Sequence, residues 1–108
     1  MSLFMTQFSY TSEAWAAFVR NPEDRSVILR VELEKLGGRL LNFYYTLGEY
    51  DGIVIYEAPD ETTAVAAVLT AIAPGHLKAT KTIVLLTVEN AIVAMGKARG
   101  SGYVVPNK

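Results

Sequence analysis

Apolar and polar positions alternate from Leu3 to Tyr10, with Phe4, Thr6, Phe8 and Tyr10 in one phase and Leu3, Met5, Gln7 and Ser9 in the other. A period of two puts successive side chains on opposite faces, so this segment reads as a strand with both faces partly covered. The period then changes. Trp15, Phe18 and Val19 follow at the i, i+3, i+4 spacing of a helix face, behind Thr11-Ser12 as N-cap. A longer helix is predicted to restart at Asn21-Pro22-Glu23-Asp24. Asn21 offers a capping oxygen, Pro22 suits a first helical position, and the two acids favour the positive end of the dipole. Leu29, Leu33 and Leu36 form its apolar stripe, widened by Val27, Ile28 and Val31, while Arg30, Glu32, Glu34 and Lys35 supply the wet side. Gly37-Gly38 ends it, because glycine tolerates a left-handed cap.

Residues Arg39 to Leu47 read as an aromatic-rich strand, Gly48-Glu49 as a tight connection and Tyr50 to Ala58 as the return strand of a hairpin. Asp60, directly after Pro59, caps a helix with Val65, Val68, Leu69 and Ile72 as its expected buried face, closed by Ala73-Pro74-Gly75. Leu77 to Val88 is a fourth strand, Glu89 to Ala98 a short helix, and residues 99–108 a tail. The order β-α-β-β-α-β over residues 1–98 predicts one α+β domain of ferredoxin-like type: a four-stranded antiparallel sheet with the helices on one face.

That arrangement leaves a sheet face bare, and a bare face should alternate toward polar residues. Ile53-Val54-Ile55 and Ile83-Val84-Leu85-Leu86 are apolar in both phases instead. The second face therefore needs a cover, and the simplest is the same face of another copy, giving a two-fold homodimer. The apolar share of 51% is high for 108 residues and points the same way.

Composition narrows the remaining classes. Ten basic and eleven acidic residues leave a net charge of −1, so no strong field draws nucleic acid or anionic lipid, and neither is expected as a partner. The chain has no cysteine, which excludes disulfides and thiolate chemistry and fits a reducing cytoplasm. Its apolar windows, Ala64–Ala73 and Ile83–Val88, are far below the ~20 residues that span a bilayer. With one histidine and no cysteine, a nitrogen- or sulfur-ligated metal site is not expected, and no cofactor is predicted. Gly-rich phosphate loops, a placeable Ser-His-Asp order and a basic aromatic RNA-binding strand are all missing from the sequence.

One stretch is distinctive: Gly48-x-Tyr50-Asp51, then the apolar strand, then Glu57-Ala58-Pro59-Asp60. Together with Tyr10-Thr11, Arg25, Leu36-Gly37-Gly38 and the Tyr44-Tyr45 strand, this resembles the GYD domain family over about residues 3–95. His76-Leu77 and the Gly100-to-Lys108 tail depart from the family pattern. The resemblance implies a dimeric α+β barrel. That superfamily includes cofactor-less monooxygenases, muconolactone-isomerase-like enzymes, haem-handling enzymes and ligand-sensing domains, so the fold implies a small-molecule cleft and not a reaction.

The candidate chemical groups are few. Asp51 and Tyr50 are the catalytic candidates: a desolvated Asp51 would suit proton transfer, and Tyr50 would orient a ligand by its phenol. Their structural alternatives are an aspartate holding the turn's amides and a tyrosine packed in a core or interface. Tyr10, Trp15, Arg25, Tyr44 and His76 are the ligand-binding candidates. Arg25 can clamp a carboxylate or pair with Glu23 or Asp24, and His76 can serve as a base or haem ligand or simply occupy a loop. The expected function is binding, with or without transformation, of a small apolar or aromatic molecule between sheet and helices. The alternative is a non-catalytic sensing or assembly module whose Gly48-x-Tyr50-Asp51 turn is structural.

Overall fold

The computed structural model describes residues 1–107; the final residue of the tail, Lys108, lies outside them. Its elements are β1 (Ser2–Tyr10), α1 (Ser12–Arg20), α2 (Arg25–Lys35), β2 (Arg39–Tyr45), β3 (Gly52–Ala58), α3 (Glu61–Ile72), β4 (Leu77–Leu85) and α4 (Val88–Arg99). The four strands form one antiparallel sheet in the order β2-β3-β1-β4. This is the ferredoxin-like α+β arrangement, with the two central strands β1 and β3 contributing most of the core.

The register assigns every strand residue to a face, because directly opposite residues point the same way. Phe4 pairs with Tyr56 and Val84, Thr6 with Val54 and Thr82, and Phe8 with Gly52 and Thr80. These face the helices. Phe4, Phe8, Tyr10, Val54, Tyr56 and Ala58 join Ala14, Leu33, Leu40 and Ala64 in the buried cluster. The opposite face pairs Leu3 with Leu85, Met5 with Ile55 and Ile83, and Gln7 with Ile53 and Lys81. Among the described residues no helix covers it.

Several element ends differ from the expected ones. Asn21 closes α1, its N–H donating to Ala17 O at 3.0 Å, so it is not available to open the next helix. Asp24 caps α2 instead, accepting from Ser26 N at 2.9 Å. The α2 terminus is a Schellman motif: Gly38 N donates to Leu33 O at 2.8 Å and Gly37 N to Glu34 O at 3.0 Å, with Gly37 at φ 82°. β2 stops at Tyr45, which pairs with Gly52, so residues 46–51 form a longer loop than the two-residue turn expected. Thr46 N donates to Asp51 O at 2.8 Å and closes that loop, while Asp51 N turns away to Phe8 O on β1. On α3, Asp60 caps as expected, accepting from Thr63 N at 2.8 Å. The buried side of that helix is the small one: Ala64 is buried, Ala67 packs against the core, and Val65 and Leu69 are exposed. β4 ends at Leu85, short of the expected Val88, and α4 runs from Val88 to Arg99 behind Thr87, which caps it by accepting from Asn90 N at 3.0 Å.

α4 buries none of its residues and exposes Val88, Ile92, Val93 and Met95. The radius of gyration is 17.8 Å, against about 13 Å for a compact chain of this length, in keeping with an α4 that buries no residue and with the exposed residues 99–107.

Candidate functional site

Alternation on β1 and β3 lays Thr6, Phe8, Tyr10, Val54 and Tyr56 along the helix-facing side of the sheet. α2 crosses above them with Leu29 and Leu33 inward, and α3 approaches with alanines rather than large side chains. Ala67 and Ala71 present little side-chain volume there and leave space unfilled between helix and sheet. A cavity of about 290 Å³ lies between, lined by apolar side chains that include Phe8, Leu29, Leu33, Phe43, Val68 and Leu77. Its volume is at the low end of ordinary ligand pockets.

Polar groups enter the cavity at two places. Along the sheet, Thr6 Oγ1 lies 2.9 Å from Tyr56 OH and 2.8 Å from Thr82 Oγ1, a hydroxyl chain that satisfies a buried threonine and a buried tyrosine. Burial raises the Tyr56 phenol's pKa, and the two threonines pull it back in part. At the end where β1 finishes and β4 begins, Tyr10, Arg25 and His76 come together in the lining. The rings of Tyr10 and His76 are 6.2 Å apart, and Thr11 N donates to His76 O at 2.9 Å, tying the two strand ends. Burial, reinforced by the Tyr45 hydroxyl at 3.4 Å, raises the Tyr10 pKa well above that of a free phenol. Burial and then the nearby Arg25 guanidinium depress the His76 pKa, which favours the neutral imidazole. Arg25 sits over Phe18 at 5.9 Å from the ring centroid, and its Nη1 lies 3.4 Å from Glu23 Oε2.

The other candidates are elsewhere. Asp51 Oδ2 accepts from Tyr10 N at 2.9 Å and from Trp15 Nε1 at 3.0 Å, which binds the hairpin loop to the end of β1 and to α1. Tyr50 contributes its carbonyl, to which Thr46 Oγ1 donates at 2.6 Å. Trp15 packs edge-on against Tyr10 at 5.1 Å, behind the cavity wall. Tyr44 pairs with Ile53 on the sheet's opposite face, where Asn42 Nδ2 donates to its hydroxyl at 3.3 Å. The structure thus gathers Tyr10, Arg25 and His76 around one cavity and leaves Asp51, Tyr50, Trp15 and Tyr44 outside its lining. Among the described residues no cluster of His, Cys, Asp or Glu is placed to hold a metal, and no helix is long and apolar enough to cross a membrane.

Thr6 and Tyr56 were not singled out from the sequence. Thr6 is visible there as a polar residue in the phase of Phe4, Phe8 and Tyr10. Its partner, fifty positions away, becomes apparent only from the strand register.

The profile of the GYD domain family matches residues 4–95, which include the cavity lining and all of the sheet but Ser2 and Leu3. The chain belongs to the GYD domain family. No curated protein matches it in sequence. The crystal structure of MtbAldR is similar in fold, with a TM-score of 0.59 at 17% identity, over 80% of this chain and 53% of that one. This GYD chain accordingly spans about half the length of that relative. At such identity the likeness concerns the fold alone.

Proposed function

We propose that this GYD domain binds a small apolar or aromatic molecule in the cavity between the sheet and helices α2 and α3. The supporting observation is the cavity itself: about 290 Å³, mostly apolar in lining, with Tyr10, Arg25 and His76 converging at one end. Apolar walls with a few oriented polar groups are the usual make-up of small-molecule sites. The test is thermal unfolding with toluene and indole as probes, since a ligand that binds only the folded state raises Tm. Stabilisation by either probe, abolished by filling the cavity with Ala67→Phe or Ala71→Phe, is the expected result. No stabilisation by either removes the reading.

A non-catalytic sensing or assembly role is favoured over an enzymatic one built on Asp51. That carboxylate is held by Tyr10 N and Trp15 Nε1 and is not part of the cavity lining. The proposal also includes a homodimer and a cytoplasmic location. The dimer is supported by the outer sheet face, where Leu3, Met5, Ile53, Ile55, Ile83 and Leu85 lie without cover from any helix among the described residues. Exposed Ile92 and Met95 on α4 offer a second apolar surface to the same partner. Sedimentation of the full chain tests this part: a monomer of 11.8 kDa at micromolar concentration would end it.

A further inference from the structure

We infer that the molecule taken by this cavity is a small organic monoanion, a monocarboxylate with an apolar, ring-sized body, whose charged end is held by Arg25 beside Tyr10 and His76. This rests on the reading of the cavity as a binding site and names the class of its ligand.

The charges around the cavity are unequal in their availability. Arg25 and Glu32 are the formally charged lining residues, seven positions apart on α2. They are thus about 10.5 Å apart along the helix axis, roughly two turns from one another. Glu32 Oε1 already has a cation, Lys35 Nζ, at 3.2 Å. Arg25 meets Glu23 through Nη1 alone, at 3.4 Å, beyond the roughly 2.7–2.9 Å of a strong charge-assisted bond. A guanidinium has five N–H donors in a planar fork, and a carboxylate is the group that takes two of them in parallel. Packing over Phe18 holds that fork against the protein while three-quarters of the side chain is withdrawn from water, with 25% remaining exposed. A charge-assisted bond in such a place is worth more than one in open solvent.

The neighbours favour a single negative charge. With its pKa below the ordinary value, His76 is mainly the neutral imidazole near pH 7 and offers one N–H donor without a second full cation, and Tyr10 offers a protonated phenol. One cation with two neutral hydrogen-bonding groups matches a carboxylate. A phosphate dianion would find too little positive charge and an apolar wall behind it. That wall, with Phe8, Leu29, Leu33, Phe43 and Leu77, suits a hydrocarbon or aromatic body. The deeper hydroxyl chain of Thr6 and Tyr56 is already internally paired and asks for no further charge.

The sequence supplies two reporters. His76 is the sole histidine and Trp15, packed on Tyr10, the sole tryptophan. The experiment titrates the full chain with benzoate, benzamide and toluene, following the His76 imidazole resonances by NMR and the Trp15 emission. Benzoate is expected to bind at least about tenfold more tightly than benzamide, a difference of about 1.4 kcal/mol. Arg25→Gln should erase that preference, bringing benzoate and benzamide to equal affinity, and Arg25→Lys, which keeps charge but not the fork, should retain part of it. Melting curves confirm that the variants fold. Equal binding of benzoate and benzamide overturns the anion inference while toluene binding upholds the cavity reading. A benzoate preference that survives Arg25→Gln also overturns it. If none of the three perturbs either reporter, the cavity reading falls as well.

Discussion

Asp51 Oδ2 accepts a hydrogen bond from Trp15 Nε1 at 3.0 Å, joining the β2–β3 loop to the first helix across thirty-six positions of sequence. The same oxygen accepts from Tyr10 N at 2.9 Å, where the β1–β4 register shifts. One carboxylate therefore secures the strand end, the helix and the hairpin loop together. This is a physical reason for an aspartate at the end of the Gly48-x-Tyr50-Asp51 signature.

Asp51→Ala should destabilise the fold by about 1–3 kcal/mol, because it leaves two N–H donors without their acceptor. For a domain this small each kcal/mol lowers Tm by about 4–8 °C. Calorimetry and Trp15 emission measure the change. Asp51→Asn, which keeps an acceptor oxygen, should lose less. A melting temperature unchanged in Asp51→Ala would show that the clamp does not hold the fold.

Gly52 faces the Phe8 ring directly across the ladder. A methyl group at Gly52 would lie 2.8 Å from Phe8 Cε1 and closer still to Cζ. Gly52→Ala should therefore cost about 1–3 kcal/mol, as overpacking does. Phe8→Leu in the same chain should recover part of that loss, giving a coupling energy in a double-mutant cycle measured by urea unfolding. Strict additivity would mean that the ring is not what excludes a side chain there.

Thr6→Val should destabilise more than Thr6→Ser, because valine leaves the Tyr56 hydroxyl buried and removes its 2.9 Å partner. A loss of about 1–3 kcal/mol is expected for Thr6→Val. Tyr56→Phe added to Thr6→Val removes the orphaned hydroxyl and should restore part of it. Chemical denaturation of the three variants and the wild type checks the ranking.

His76 has a folded-state pKa below the ordinary 6.5, owing to burial and then to Arg25. The unfolded chain therefore takes up the proton first as pH falls. Stability from this group is complete above pH 6.5 and declines below it, until the folded-state pKa is passed. Asp24 and Asp60 titrate below their ordinary 3.8 and do not contribute in that window. Urea unfolding at pH 7.5 and 5.5, in wild type and His76→Gln, should show a shallower pH dependence in the variant. Equal slopes would count against a desolvated imidazole.

Met5 and Ile55 face each other on the outer side of the sheet. Met5→Asp or Ile55→Asp should shift the proposed dimer to monomer in sedimentation velocity without unfolding it. Retention of the dimer in both variants would place the interface elsewhere.

The identity of the elements followed from periodicity, since alternation and i, i+3, i+4 spacing depend on local geometry alone. The two-sided apolar character of β3 and β4 likewise makes a sheet face in need of cover legible from the sequence alone. Helix ends were harder to read because capping is competitive: Asn21 and Asp24 both suit an N-cap, and closure of α1 on Ala17 O settled which one served α2. The buried side of α3 is legible in the sequence only in part: Val68 lines the cavity and Ile72 is half-buried, but the other two large residues differ. Its larger residues suggested the core, whereas the space above the sheet admits Ala64 and Ala67 closely and leaves Val65 and Leu69 outside.

The Gly48–Asp60 stretch shows the same division. By itself the sequence determined that a loop, an apolar strand and a capped helix start stand there, and that they mark the GYD family, because each depends on residue types at fixed local offsets. Only the tertiary structure decided what Asp51 does and where the cavity lies. Both depend on β1 lying between β3 and β4, which brings Tyr10 to Asp51 on one side and to His76 on the other. Contacts over such sequence distances are set by strand register and helix packing, and no local pattern encodes either.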